Sequence, residues 1–300
     1  MNILITGGLG HIGSHLLENI GKIRNVKKIF VIDNLSTQRY VSLFNIPKSK
    51  KNIFFYEKDL SIDKSLLHFR KADVVINLAS ITDAEGSLKI KNKIYKNNLG
   101  VFKNIINYCV KNSSKLIHIS STSVYGDQKG LVDEECENLK PKSPYASIKI
   151  KEENILKKNK ISYVTYRFGT ISGVSKGMRF HTAINKFCLS ASLGRPLPIW
   201  KSMMNKPKPY LSLNDAFKVF KFTLENSFFR NQTYNIISEH LTLKTIIDFF
   251  KKYKKSTKIQ FVSSKLINQY SYKVSKQKFN DEGFVLKSKI KNDINSTLKL

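Results

Sequence analysis

The sequence predicts an α/β protein: a Rossmann-type doubly wound parallel sheet carrying a smaller C-terminal α/β substrate-binding lobe. Two observations lead there. Short, continuously apolar runs such as Val74-Val75-Ile76 alternate with helical patterns through the first two-thirds of the chain, as strands covered on both faces do. The first of these runs passes into a glycine-rich turn and then directly into a helical pattern.

The expected strands are 2–6, 28–33, 53–56, 73–78, 115–121 and 162–168, with helices over 12–20, 94–111 and 144–158. Pro144 suits the first turn of its helix, where a missing N–H costs nothing. Farther on, a helix over 182–193 stops at Gly194 with Pro196 beyond it. Strands at 210–213, 233–237 and 258–262 then alternate with helices over 215–226 and 243–252. A nucleotide-binding unit is therefore expected over 1–168, with segments near 208–238 returning to it. The rest of 169–300 is expected to make up the second lobe.

Composition narrows the function classes. The apolar share of 41% suffices for a buried core, and apolar runs are strand-length, far short of the roughly 20 residues that span a bilayer. No signal peptide is expected, because Gly7 and Gly8 cut the first apolar run. The three cysteines are scattered and lack metal-ligand spacing, so a reducing cytoplasm is expected and no metal site. The net charge of +30 suggests nucleic acid, yet only seven of the 52 basic residues are Arg. The chain is also crowded with Asn and Ile, so compositional drift explains the charge better than a specific nucleic-acid partner. An anionic small substrate would still be steered by that field.

Residues 3–16 read Ile-Leu-Ile-Thr-Gly7-Gly8-Leu-Gly10-His11-Ile12-Gly13-Ser-His-Leu. Gly7 permits the turn, Gly10 the approach of a pyrophosphate and Gly13 close helix–strand packing. The amides at His11 and Ile12 open the helix toward the phosphates. Asp33 ends the second strand 20 residues after Gly13, where a carboxylate holds ribose hydroxyls and repels a 2′-phosphate. NAD is therefore the expected cofactor.

A Tyr-x-x-x-Lys pair puts a phenol and an ammonium one helical turn apart, where the ammonium stabilises the phenolate of a general base. Three such pairs occur, Tyr125/Lys129, Tyr145/Lys149 and Tyr272/Lys276, and roughly two are expected by chance at this composition, so spacing alone selects none. Context selects Tyr145/Lys149. It opens a helix behind Pro144 and follows Ser121, at the end of the fifth strand, by 24 residues. Carboxyl ends of strands are where open α/β sheets bind ligand.

On these motifs, in this order, the chain resembles the extended short-chain dehydrogenase/reductase family, in particular its NAD-dependent nucleotide-sugar epimerases and dehydratases. The resemblance covers essentially the whole chain. It implies that Asp33, Asn34, Ser36 and Thr37 meet the adenosine and that Asp59-Leu60 meet the adenine. Leu78-Ala79-Ser80, Asn97 and Phe168 would line the rest of the cofactor. Ser121, Tyr145 and Lys149 correspond to the catalytic triad, the last two also touching the cofactor. On the sugar-nucleotide side it places Thr82, Thr122, Ser123, Thr170 and Lys208, and position adds Arg179, Phe180 and His181 of an unassigned loop.

The chain departs from the family pattern at three places. Thr170 stands where Asn is usual, and Lys208 stands where a diphosphate-binding Arg is common, keeping charge but losing bidentate geometry. Thr122 and Ser123 follow Ser121 where 4,6-dehydratases carry Asp-Glu. The reading that results is an epimerase working by transient oxidation at sugar C4, with net C4 oxidation or reduction as the alternative. A non-catalytic NAD- or RNA-binding scaffold is a rival of another class, disfavoured by the retained triad. A homodimer is also implied, through helices 94–111 and 144–158. Ile94, Val101, Ile105 and Ile106 supply more apolar surface than one sheet face is expected to take.

Overall fold

The structure is a computed structural model describing residues 1–47, 52–62, 66, 68–82, 90–262 and 271–300. Its first half runs β1 (Asn2–Thr6), α1 (His11–Asn19), β2 (Lys28–Asp33), α2 (Tyr40–Phe44), β3 (Asn52–Glu57), β4 (Val74–Asn77), α3 (Lys91–Asn112) and β5 (Lys115–Ser121). The chain continues through β6 (Leu131–Val132), α4 (Pro144–Lys157), β7 (Tyr163–Phe168), β8 (Thr170–Ser172), α5 (Ala183–Ser192), β9 (Leu197–Ile199), β10 (Lys208–Ser212) and α6 (Leu213–Glu225). It ends with β11 (Thr233–Ile236), β12 (Glu239–Leu241), α7 (Leu243–Tyr253), β13 (Ile259–Phe261), β14 (Lys273–Val274), α8 (Gln277–Asn280) and α9 (Ile290–Leu298).

Seven strands form one sheet in the order β3-β2-β1-β4-β5-β7-β11, every pair parallel. The order reverses beside β1, which is the doubly wound arrangement. Alternation along each strand fills two cores. Ile3 and Ile5 face α1 and α6, while Leu4 between them faces α3 and α4. This double covering is why the strands read as unbroken apolar runs, and each fully buried Ile or Leu contributes about 1.5–3 kcal/mol.

α4 is fixed at its start by Ser143, whose hydroxyl accepts from the Ala146 amide at 3.2 Å, with Pro144 in the first turn. Ile94, Val101, Ile105 and Ile106 are all buried within this chain, so the apolar surplus expected on α3 does not exist. Beyond β7 the chain builds a third core among α5, α7, α9, β9 and β10. β10 pairs with β8 and β12 in a small separate sheet, whereas β11 joins the main one. Among the described residues no helix is long and apolar enough to cross a membrane.

Candidate active site

Because the main sheet is wholly parallel, Thr6, Asp33, Asn77, Ser121 and Phe168 end their strands along one edge. The glycine turn occupies the middle of that edge. Gly7 has φ +65°, and a Cβ on it would stand 2.7 Å from the backbone of Leu78 and Ala79. A Cβ on Gly13 would stand 2.5 Å from Gly8 O, so α1 packs backbone to backbone against the turn. The Asp33 carboxylate accepts from the amides of Leu9 and Leu35, both at 3.1 Å. Burial raises its pKa, and these two bonds together with the Arg39 guanidinium oppose the shift.

Residues 173–179 lie across this turn. His11 Nε2 donates to Gly173 O at 2.8 Å, Ser175 Oγ to His11 O at 2.9 Å, and the Gly177 amide to Ser14 Oγ at 2.9 Å. Arg39 reaches over to donate to Gly177 O at 2.8 Å. Burial holds His11 neutral, its pKa lowered to about 3. Arg179, expected to face the sugar nucleotide, donates to Thr82 Oγ1, so these two predicted residues meet each other.

At the fifth strand's end, Ser121 caps the 3-10 turn Thr122–Tyr125. Its Oγ accepts from the Ser123 hydroxyl at 2.9 Å and from the Ser123 amide at 3.2 Å. α4 packs on β5 and on that turn. This carries half-buried Tyr145 and buried Lys149 to the same edge, the Lys149 ammonium 5.7 Å from the centre of the Tyr145 ring. Lys149 Nζ donates to Glu152 Oε2 at 2.8 Å. The remaining Tyr-x-x-x-Lys pairs are placed differently: Tyr125 is buried under Arg167 and Asn235, and Tyr272 is buried with its hydroxyl at Thr122.

Two expected contacts point elsewhere. Thr122 is buried, its hydroxyl turned to Phe168 O at 3.3 Å and Tyr272 OH at 3.2 Å rather than outward. The Phe168 ring lies in the core between Tyr166 and Phe220, leaving only its backbone at the strand end. Asn97 is half-buried and donates to its neighbour Asn98, and it is Asn98 that holds the loop after β4, bonding both the amide and the carbonyl of Ile81. Asp59 folds onto Ser61 while Leu60 is buried. Asn34, Ser36 and Thr37 are exposed, as are Phe180 and His181. Thr170 faces Tyr210 in the β8–β10 ladder. Lys208, at the start of β10, is half-buried, and burial lowers its ammonium to about 8.

Composition and spacing did not single out Arg39, Glu152 or Asn185. Asn185 is fully buried, its Nδ2 donating to Arg179 O at 3.0 Å and its Oδ1 lacking a partner among the described residues. An Asn inside a helical pattern was the only signal available for it.

A model of the NAD dependent epimerase/dehydratase family matches residues 3–236. The chain belongs to that family. One relative is the trifunctional UDP-glucose 4,6-dehydratase/UDP-4-keto-6-deoxy-D-glucose 3,5-epimerase/UDP-4-keto-L-rhamnose-reductase of Arabidopsis thaliana. It is 26% identical over 99% of this chain and 47% of its own length, so the chain spans about half of it. UDP-glucose 4-epimerase of Yersinia enterocolitica is 32% identical over 55% of this chain and 51% of its own. In fold the chain is similar to UDP-glucose 4-epimerase of Thermus thermophilus, solved in complex with NAD. The TM-score is 0.86 at 23% identity, covering 100% of this chain and 98% of that one.

The residues present fit the cofactor of this NAD-dependent family. The glycine turn leaves a cradle that side chains would fill, the first-turn amides of α1 have no acceptor within the helix, and Asp33 is anchored at the neighbouring strand end. Ser80 Oγ, in the loop after β4, is buried and has no partner among the described residues.

Proposed function

We propose that this member of the family is a nucleotide-sugar epimerase acting by transient oxidation at sugar C4. The observation that carries the reading is Tyr145 and Lys149 brought by α4 to the strand end that bears Ser121. Tyr145 takes the proton of the C4 hydroxyl, and Ser121 hydrogen-bonds the same oxygen as it becomes a carbonyl. Lys149 would hold the cofactor's ribose, and its ammonium stabilises the phenolate. When bound, NAD supplies a reversible hydride acceptor. Turning of the 4-ketosugar in the site would present its other face for reduction, and Tyr145 gives the proton back to the C4 oxygen. The second reading is net C4 oxidation or reduction, and its reductive direction draws on the reductase in the name of the Arabidopsis relative, of which this chain spans about half.

In this reading residues 1–168, with α6 and β11, bind NAD. The remainder of 169–300 binds the UDP-, GDP- or dTDP-linked substrate, with Thr82, Arg179, Thr170 and Lys208 on its side. Two copies pair through α3 and α4, the pairing that the family resemblance implies, and the enzyme serves polysaccharide biosynthesis in the cytoplasm. Mass spectrometry of nucleotides that copurify with the protein or raise its melting temperature tests the substrate class. Stabilisation by no nucleotide sugar would count against it.

A further inference from the structure

Lys149 has a buried partner that the proposed reaction does not use. Its ammonium donates to Glu152 at 2.8 Å, and the two side chains are 4% and 2% exposed. Charges removed from water to this degree persist when they are paired, and each is destabilising when its partner is removed. Glu152 is one of two adjacent carboxylates on α4, and the second is occupied elsewhere. Glu153 accepts from Arg167 through both oxygens, at 3.0 and 2.7 Å, and from Ser120 Oγ at 2.5 Å.

Behind Glu152 stands His118 of β5, fully buried, with Nε2 3.4 Å from Oε2 and its ring 4.7 Å from that of Phe102 on α3. Burial first, then the Lys149 charge, hold the imidazole well below its usual pKa, so it is neutral and this contact is no ion pair. The charged or titratable groups facing Lys149 are thus Glu152, Tyr145 and Glu153 from α4 and neutral His118 from β5. Only Glu152 touches the ammonium with a charge among the described residues. His118 is fully buried and uncharged, so it walls the ion pair in without adding a charge to it.

We propose that Glu152 is a positioning residue for Lys149, fixing the ammonium beside the Tyr145 ring and keeping it charged in a dry pocket. The inference rests on the proposed epimerase function, in which Lys149 holds the cofactor ribose. One N–H of the ammonium is used by Glu152 and two remain for that task. Burial alone pushes the ammonium toward the neutral amine. The Glu152 charge and hydrogen bond, with Tyr145 and Glu153, outweigh it and leave the pKa above the usual lysine value. The ion pair therefore holds Lys149 protonated, and without the Glu152 charge burial favours the neutral amine.

The test is NAD affinity of the full chain from pH 6.5 to 9.5, in a Tyr145→Phe background so that no phenol ionises beside the cofactor. With Glu152 present, affinity is flat. With Glu152→Gln, which keeps size and a hydrogen-bond acceptor, affinity falls by roughly tenfold or more toward pH 9.5. Lys149→Met is weak and flat throughout. Glu152→Asp, which retains the charge but withdraws it by one methylene, gives a smaller fall of the same sign and serves if the Gln variant does not fold. A Glu152→Gln profile that is flat, whether at wild-type strength or uniformly weaker, would overturn the proposal. Because this reads binding and not turnover, it is separable from the function itself. A wild-type protein that binds NAD but converts no nucleotide sugar would sink the epimerase reading and leave the ion pair's role measurable.

Discussion

The amide of Leu9, in the glycine turn, donates to Asp33 Oδ2 at 3.1 Å, so one carboxylate ties the phosphate-binding turn to the end of β2. Asp33 therefore shapes the turn, and in the proposed function its charge would also stand by the adenosine ribose and repel a 2′-phosphate. Purified protein should bind NAD(H) in preference to NADP(H). Asp33→Ala should weaken NAD by tenfold or more, through loss of a charge-assisted bond worth about 1.5–3 kcal/mol, and narrow the gap between the two. Titrating both cofactors onto both proteins decides this. Tighter NADP(H) binding by the unaltered protein would refute it.

Tyr145→Phe should abolish turnover while leaving NAD binding near normal. The substitution removes only a hydroxyl from a half-buried ring, so the ring's place beside Lys149 survives. A loss of the order of 100-fold or more in kcat is expected, because the group proposed as general base is gone. Near-normal rates in this variant would mean that another group takes the proton.

Asp293 makes stability depend on pH. From α9 it accepts from Ser172 of β8 at 2.7 Å and Ser212 of β10 at 3.0 Å, joining three elements of the C-terminal part. Burial, with the nearby charges of Asp215 and Glu239, pushes its carboxyl up to about 6 against the pull of the two hydroxyls. A carboxyl whose folded pKa lies above its unfolded value favours the folded state while protonated, and that contribution is lost as pH rises from about 4 to 6. Asp293→Asn should therefore stabilise the protein by about 1–3 kcal/mol at pH 7.5, the gain vanishing below about pH 4. Urea unfolding of both proteins at the two pH values measures this. A destabilised Asn variant at pH 7.5 would show that the charge is needed.

How much could be read from sequence alone follows from the physics of each element. The six strands expected in the first 168 residues all form, since burial on both faces leaves unbroken apolar runs, and α4 starts at its proline as expected. Of the small β8-β10-β12 sheet the sequence predicts β10, as a strand at 210–213, but not β8 or β12, three-residue segments that each follow another strand closely and carry no separate pattern of their own. Thr122 and Phe168 show a different limit. Both lie at strand ends on the binding edge, but the 3-10 turn swings Thr122 inward, and core packing takes the Phe168 ring. Paired carboxylates such as Glu152 and Glu153 ordinarily mark a solvated helix face. Only the packing of α4 on the sheet, which brings them to His118 of β5 and Arg167 of β7, reveals that both are buried.

Reaction type is the property on which the family itself divides. Removing water between sugar C5 and C6 requires a base at C5 and an acid for the departing hydroxyl, the work expected of an Asp-Glu pair after the catalytic hydroxyl residue. In this chain those positions hold Thr122, whose hydroxyl is committed to Phe168 O and Tyr272, and Ser123, whose hydroxyl donates to Ser121. Neither hydroxyl serves as a base near neutral pH without activation. The next carboxylate along the chain, Asp127, lies beyond the 3-10 turn and accepts from the Ser271 amide at 3.2 Å in an exposed contact. Incubation with UDP-, GDP- and dTDP-sugars should therefore yield products without loss of water. Epimerisation leaves the mass unchanged, and net oxidation lowers it by two hydrogens. Mass spectrometry separates these from dehydration, and NMR then identifies the inverted centre. A product lighter by one water would place some other carboxylate on the sugar.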